Sequence, residues 1–144
     1  MIPLDKSRNS IAFKQMNIGA YKSRYQYNIF CNGQKIGEIS FIKRRIKKRN
    51  IFIIGFLKIL EYHRGNHYGY QVIDYILSHY RVDYIVGQSL YSARGFWNKC
   101  IKKFNGQRKN ITICDNCSSS FVIPRHEIGI DEMIRLLEIG YEIE

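Results

Sequence analysis

The chain has 144 residues, of which 45% are hydrophobic and 14% aromatic, so it can bury one core and is predicted to form a single domain over residues 1–144. The longest apolar run, residues 51–60, is too short to span a bilayer, and the N-terminal residues lack the pattern of a secretory signal. These features favour a cytoplasmic protein without membrane contact, whose four cysteines are reduced.

The first predicted elements are strands joined in hairpins. Residues 23–30 and 35–46 are predicted strands, connected through Asn32-Gly33, a strong hairpin signal. Residues 51–60 form a near-continuous apolar run that is typical of a strand buried on both faces. Gly55 within this run indicates a bulge or a close approach to the backbone.

Helices then alternate with strands. Apolar spacing predicts a helix through residues 73–80, a strand at 82–88 and a second helix that begins at Ser92 as N-cap and runs to Phe104. A hairpin is predicted around residues 111–124, and an amphipathic, acidic helix over 129–140. The order β-β-β-α-β-α-β-β-α favours an α+β fold, with a mixed, mostly antiparallel twisted sheet flanked by helices and a core over about 25–124.

Charge is unevenly distributed along the chain. The net charge is +11, with +16 on residues 1–125 and −5 on residues 126–144. The densest basic run is "KRRIKKR" at 43–49. A surface of this sign attracts phosphates, whether of a nucleic acid or of a nucleotide cofactor, although a solvated loop is the simpler alternative. The acidic segment could cover the basic surface of its own chain or of a second copy, so a homodimer is one state open to the chain.

Residues 61–77, "EYHRGNHYGYQVIDYIL", lead from the buried strand into a helix with almost no spacer. The start of a helix presents unpaired N–H groups and partial positive charge, which together suit an anion. Gly65 and Gly69 let a ligand approach the backbone, while His63, Arg64 and His67 supply donors. The segment is therefore interpreted as a loop that binds a diphosphate. The alternative is an ordinary strand-to-helix turn whose glycines serve only the backbone geometry.

Two stretches resemble motifs of the GNAT acyltransferase superfamily. "LKILEYHRGNHYGYQVIDYIL" is similar to the strand, Arg/Gln-x-x-Gly-x-Gly/Ala loop and helix that hold the pyrophosphate of acetyl-coenzyme A, with Arg64 first, Gly69 last and His67 at the usual middle glycine. "SLYSARGFWNKCIKKF" at 89–104 is similar to the later Ala-x-x-Phe-Tyr motif, with Trp97 in place of the tyrosine. The N-terminal helical part usual in the family looks shortened.

The resemblance implies acetyl-coenzyme A as co-substrate and assigns residues to it. The strand backbone would contact the thioester and the pantetheine arm, the loop would hold the diphosphate, and the second motif would complete the site. The residues so assigned are Leu57, Ile59, His63, Arg64, Gly65, Asn66, His67, Tyr68, Gly69, Ser92, Phe96 and Trp97.

Acetylation of an amine requires the neutral amine, yet a lysine titrates near ~10.4, so a base is needed. The apolar strand carries no carboxylate; Glu38 on the preceding strand and Glu61 at its end are the candidates. Tyr91 and Ser89, near the end of the next strand, are candidate acids for the leaving thiolate, since Trp97 cannot serve.

"CDNC" at 114–117 suggests half of a zinc site or a redox pair. A structural zinc site usually needs four ligands, and a redox pair should open a helix, so two incidental thiols and no metal site are predicted.

Two hypotheses follow. The first is an acyl-coenzyme A-dependent N-acyltransferase whose acceptor is associated with nucleic acid, such as an aminoacyl-tRNA, a ribosomal protein or a nucleobase. The second is a catalytically degenerate GNAT-fold module that binds nucleic acid.

Overall fold

A computed structural model describes residues 10–15 and 25–140. The elements in chain order are β1 (Ile11–Gln15), β2 (Tyr25–Cys31), β3 (Gln34–Ile46), β4 (Arg49–Ile59), α1 (Tyr68–His79), β5 (Tyr84–Leu90), α2 (Arg94–Lys103), β6 (Gln107–Lys109), β7 (Cys117–Ile123) and α3 (Ile130–Gly140). Short 3-10 turns at Glu61–His63 and Tyr91–Ala93 precede α1 and α2. Within these described ranges, every helix is too short or too polar to cross a bilayer.

The described strands form one mixed sheet in the order β1-β2-β3-β4-β5-β7-β6. All neighbouring strands are antiparallel except β4 and β5, which are parallel. This confirms the predicted α+β class and the mostly antiparallel sheet. Strand β1 was not predicted: the sequence suggested a shortened helical part, whereas residues 11–15 pair with β2 at the sheet edge.

Helices cover both faces of the sheet. Helices α1 and α2 pack on one face through Val72, Ile73, Ile76, Trp97 and Cys100, against strand residues that include Phe41, Phe52 and Phe121. Helix α3 packs on the other face through Met133, Leu136 and Leu137, against Ile42, Ile51, Ile53 and Val86. The residues that are fully buried on both faces lie mainly in the central strands, as expected when helices cover both sides.

The two backbone features predicted for the first strands are present. Asn32 and Gly33 have φ of 54° and 84° and form the two-residue turn between β2 and β3. In the β3–β4 pair, Ser40 faces Phe56 while Phe41 faces Ile54, so Gly55 is the extra residue of a bulge. A side chain at position 55 would have its Cβ 3.1 Å from both the carbonyl oxygen of Gly140 and the Oγ of Ser40. Glycine therefore suits this crowded position.

The prediction that β4 is buried on both faces holds only for its first half. Residues 51–54 are buried, whereas beyond the bulge the strand alternates and Phe56 is 42% exposed. Gly140, the last described residue of α3, lies beside Gly55, so no helix of the described residues covers that face of the outer part of β4. An apolar run in sequence cannot report where its covering helix ends.

Two local predictions were wrong. The predicted hairpin at 111–124 is replaced by β6 at Gln107–Lys109, a loop over 110–116 and β7 at Cys117–Ile123. The first strand of this pair begins before residue 111 because Gly106 lets the chain come close to β7 just ahead of β6. A Cβ on Gly106 would lie 2.8 Å from the carbonyl oxygen of Val122. Ser92 lies within a 3-10 turn; the N-cap of α2 is Ala93, and no side chain caps the helix.

We expect the protein to lose stability in alkaline solution because of Cys100. Burial raises the pKa of this thiol to about 12 from its ordinary value of 9.0. Between these values the unfolded chain has released the proton and the folded chain has not, so the free energy of unfolding falls by about 1.4 kcal/mol per pH unit for this group. Urea titrations between pH 8 and 11 measure how the free energy of unfolding changes with pH. Cys100→Ala should make this decrease less steep by about 1.4 kcal/mol per pH unit, which corresponds to one proton. An equal slope in the variant would refute the assignment.

Candidate active site

Strands β4 and β5 separate soon after they begin. They pair only over residues 51–53 and 84–86; β4 then continues along β3, and β5 along β7. The bulge at Gly55 bends β4 near the point of separation. Among the described residues the facing edges of 54–59 and 87–90 have no strand partner, so backbone N–H and C=O groups line the gap. An extended molecule with amide groups can bind there.

Both helices that follow these strands begin at the open end of the gap. Helix α1 starts at Tyr68, and its N-cap residue His67 makes no side-chain hydrogen bond to the first turn, which also contains no acidic residue. The first N–H groups of a helix lack intrahelical acceptors, and the helix dipole adds positive charge to them. The start of α1 is therefore suited to an anion such as a diphosphate.

The loop before α1 is held against the end of β4. Nε of Arg64 donates to the carbonyl oxygen of Ile59 (3.0 Å), and the Asn66 amide donates to that of His63 (3.3 Å). Gly65 has a φ of 85° with no atom within 4 Å of its Cβ position, and His67 has a φ of 61°. The exposed loop residues thus adopt a conformation that is fixed by the backbone and leaves open space beside it.

Gly69 has a packing role that the sequence did not reveal. A Cβ on this residue would lie 2.2 Å from the ring of Phe96, so the glycine allows α2 to pack against the first turn of α1. Phe96 also stacks on Tyr70 (6.2 Å between ring centroids), and Tyr70 lies beside His67 (5.8 Å). These aromatic side chains form one wall beside the start of α1.

Trp97 is a core residue, which corrects its assignment to the cofactor. Its side chain is 5% exposed, stacks on Phe121 at 4.1 Å and meets Phe96 edge to face at 4.8 Å. The ring therefore anchors α2 to the sheet and is not presented to a ligand.

The side chains of β4 beyond the bulge point to opposite faces of the sheet. Leu57 and Ile59 are half-buried and pack towards α1 and α2, so only their backbone groups are available to the gap. Lys58 and its neighbour across the strands, Glu38, lie on the other face. Glu38 is half-buried and forms an ion pair with Lys35 at 3.9 Å. The structure thus places a carboxylate on the face of the sheet that no described helix covers beyond Gly140.

The candidate acids at the end of β5 differ in access. Ser89 is fully buried, and its Oγ donates to the carbonyl oxygen of Leu90 at 3.4 Å. Tyr91 is 63% exposed, and its backbone is held by a hydrogen bond to the carbonyl oxygen of Asn116 (3.0 Å). Ser92 is exposed in the same turn. Tyr91 is therefore better placed than Ser89 to meet a ligand, and Ser92 remains accessible to one.

The cysteine pair flanks a turn, with Cys114 before it and Cys117 at the start of β7. The N–H of Cys117 donates to the carbonyl oxygen of Cys114 (3.1 Å), and burial raises the pKa of the Cys117 thiol to about 12, with Cys114 adding to the shift. A thiol so shifted stays protonated and is a poor nucleophile. Residues 10–15 and 25–140 contain no group of three or more Cys, His, Asp or Glu side chains arranged to hold a metal.

Sequence reasoning missed two apolar side chains near the gap. Phe56 on β4 and Leu90 on β5 are 42% and 41% exposed. Both follow the last residues that pair between the two strands. Periodicity alone assigns such residues to the core, and only the divergence of the strands explains their exposure.

Several solved structures that are similar to this chain in architecture are described as acetyltransferases. Naa50 of Arabidopsis thaliana, solved with the bisubstrate analogue CoA-Ac-MVNAL, is 17% identical over 67% of this chain and 70% of its own, with a TM-score of 0.52. A protein of Bacteroides thetaiotaomicron described as a GNAT-family acetyltransferase is 14% identical over 89% of this chain and 77% of its own (TM-score 0.57). The IAA acetyltransferase of Bacillus cereus is 11% identical over 79% and 99% (TM-score 0.55).

No family model matches the sequence, and no curated protein matches it significantly. At these identities the structural similarity establishes the fold alone. The chain has the fold of the GNAT acyltransferases, which confirms at the level of architecture the resemblance inferred from its two motifs.

Proposed function

We propose that the chain is a GNAT-family acyltransferase that transfers the acetyl group of acetyl-coenzyme A to an amine. The observation that carries this proposal is the separation of β4 and β5 beside the uncapped start of α1. The gap offers backbone groups to an amide-containing arm, and the helix start offers N–H groups to a diphosphate. Coenzyme A combines these two features in one molecule. The similar fold of Naa50, solved with a coenzyme A bisubstrate analogue, is consistent with this proposal.

The chain's own residues would bind and orient the co-substrate. The unpaired edge of β4 after the bulge would hydrogen-bond the pantetheine amides and donate to the thioester oxygen, as preorganised N–H groups stabilise a developing oxyanion. The first turn of α1, with Gly65 and His67 beside it, would hold the diphosphate. Acetyl-coenzyme A would supply the activated acetyl group, and most of the rate would come from holding it against the amine.

Glu38 and Tyr91 are the proposed base and acid. Glu38 lies on the face of the sheet that no described helix covers beyond Gly140, and it would take a proton from the amine directly or through one water molecule. Tyr91 is exposed at the end of β5 and can protonate the leaving thiolate. The buried hydroxyl of Ser89 is a weaker candidate.

We expect Glu38→Gln and Tyr91→Phe each to lower kcat by about 10²-fold, because general acids and bases contribute about that much, with little effect on acetyl-coenzyme A affinity. The pH dependence of kcat should lose its acidic limb in Glu38→Gln. Lys35→Gln is the control for the first variant, since it removes the ion-pair partner and keeps the carboxylate. A kcat unchanged by both substitutions would mean that positioning alone drives the transfer.

The binding step is tested by calorimetric titration of the intact protein with acetyl-coenzyme A. A saturating concentration, about a hundred times Kd, should stabilise the fold by about 2.7 kcal/mol and raise the midpoint of thermal unfolding. Absence of both heat and thermal shift would contradict the proposal. It would favour the second candidate, a catalytically degenerate module, which the lack of a carboxylate on β4 supports.

For the acceptor, we propose a macromolecule associated with nucleic acid, because a net charge of +11 attracts phosphate-bearing partners and offers nothing to a small amine. Cell extract incubated with acetyl-labelled coenzyme A and the enzyme should incorporate label into the protein or RNA fraction. Label found only in small molecules would refute this choice of acceptor.

A further inference from the structure

The hairpin between β3 and β4 carries a dense group of cations. We define the basic hairpin by Lys43, Arg44, Arg45, Lys47, Lys48 and Arg49. It lies where β4 begins, whereas the gap and the loop before α1 lie where β4 ends. Eleven residues of extended strand separate these ends by about 30 Å. The basic hairpin therefore has no part in holding the acetyl donor and needs a separate explanation.

Backbone preference does not explain the two lysines at the turn. Lys47 and Lys48 have φ of 50° and 66°, in the left-handed region that residues with a Cβ disfavour. The corresponding turn between β2 and β3 uses Asn32 and Gly33, the pair best suited to this geometry. The same chain thus places a favourable pair in one hairpin and two strained cations in the other. This choice points to a role for the charge.

A shallow groove runs beside the basic hairpin. It has a volume of about 360 Å³, and the described residues that line it include no acid: Lys43, Arg44, Arg45, Asn50, Ile51, Tyr80 and Val82. The adjacent acid, Asp83, accepts a hydrogen bond from the backbone N–H of Asn50 (2.6 Å) and lies 4.0 Å from Nη1 of Arg49. Asp83 ties the start of β4 to β5, and no carboxylate lies beside Arg44, Arg45, Lys47 or Lys48 among the described contacts. The groove therefore fits an anion.

We propose that the basic hairpin binds the phosphate backbone of a nucleic acid. Successive strand residues point to opposite faces, so the cations of β3 lie on both sides of the ribbon and at its tip. This distribution suits a polyanion better than a single phosphate group, and a two-stranded ribbon fits a duplex groove. Residues 47–50 are Lys, Lys, Arg and Asn, so the tip lacks the exposed apolar anchor that an anionic membrane surface would need.

The test replaces the turn without harming the fold. Lys47→Asn combined with Lys48→Gly installs the favoured turn pair and removes two charges. We expect the midpoint of thermal unfolding to rise, while affinity for a labelled RNA hairpin or DNA duplex at low salt falls about tenfold. The slope of log K against log salt should become less steep by about two. A stabilised protein that binds nucleic acid less well cannot be explained by misfolding.

The control, Lys102→Gln combined with Arg125→Gln, removes the same charge from exposed positions outside the hairpin. It should retain more than half of the affinity; an equal loss in both double variants would overturn the proposal in favour of general charge attraction. Anionic vesicles or polyglutamate that bind wild type as tightly as nucleic acid would overturn it too. This inference deepens the proposed choice of acceptor, but it does not involve the proposed binding of acetyl-coenzyme A. Titration of the turn variant with acetyl-coenzyme A should therefore match wild type, which distinguishes failure of this inference from failure of the transferase proposal.

Discussion

Replacing His67 with aspartate is expected to weaken acetyl-coenzyme A binding by at least about thirtyfold, the effect of roughly 2 kcal/mol of like-charge repulsion. His67 is exposed at the N-cap of α1 with a φ of 61°, beside the N–H groups proposed to hold the diphosphate. A carboxylate there would satisfy those N–H groups itself and repel the ligand. Aspartate tolerates the left-handed conformation, so the free protein should remain folded. Calorimetry measures the affinity, and thermal unfolding checks the fold.

His67→Asn is the matched control, because asparagine has the shape of aspartate and the same tolerance for positive φ without the charge. We expect it to change the affinity less than about fivefold. Equal losses in the two variants would indicate that the imidazole itself binds the ligand. Unchanged affinity in His67→Asp would place the diphosphate away from the start of α1 and remove the main support for the transferase proposal.

Gly37→Ala is expected to destabilise the protein by about 3 kcal/mol or more, the upper range for overpacking. The added Cβ would lie 2.2 Å from the carbonyl oxygen of Lys58 and 3.2 Å from the Cα of Ile59. These are backbone atoms of β4, which cannot rotate away as a side chain would. Relief requires β3 and β4 to move apart at the strand that borders the gap. Acetyl-coenzyme A affinity should therefore fall together with the free energy of unfolding measured in urea.

Gly95→Ala is the matched control, since no atom lies within 4 Å of its Cβ position and it lies in α2 with an ordinary φ. Helix propensity predicts an unchanged or slightly increased stability, up to about 1 kcal/mol. Equal stability of Gly37→Ala and Gly95→Ala would contradict the close approach of Gly37 to the backbone of β4.

Local signals in the sequence predicted much of the fold. The turn at Asn32-Gly33 and the bulge at Gly55 each need a local backbone conformation that only a few residue types favour. The first hairpin and the bulge could therefore be located from residue type alone. The order of strands and helices followed from periodicity. Strand β1 could not be found in this way, because five residues carry too little pattern and the strand depends on its pairing with β2.

The motifs indicated where along the chain a candidate site should be sought, but not the shape of that site. The loop at 64–67 precedes a helix, as the motif implied. The gap depends on the residue at which β4 stops pairing with β5. The residues of one strand, taken alone, do not show how far that strand pairs with another. Likewise, Trp97 and Gly69 owe their roles to Phe121 and Phe96, which are distant in sequence. Such contacts are visible only once the helices are packed.

In the part of the chain that the structure describes, the sheet consists of a four-stranded part (β1 to β4) and a three-stranded part (β5, β7 and β6). Only three residue pairs between β4 and β5 join the two parts. A short run of pairing between two strands is held by few hydrogen bonds and therefore opens locally more easily than the rest of the sheet. Fraying at residues 53 and 86 would lengthen the opening, and tighter pairing there would shorten it. The amide hydrogens of residues 51–53 and 84–86 should therefore exchange more slowly with solvent once a ligand contacts both β4 and β5.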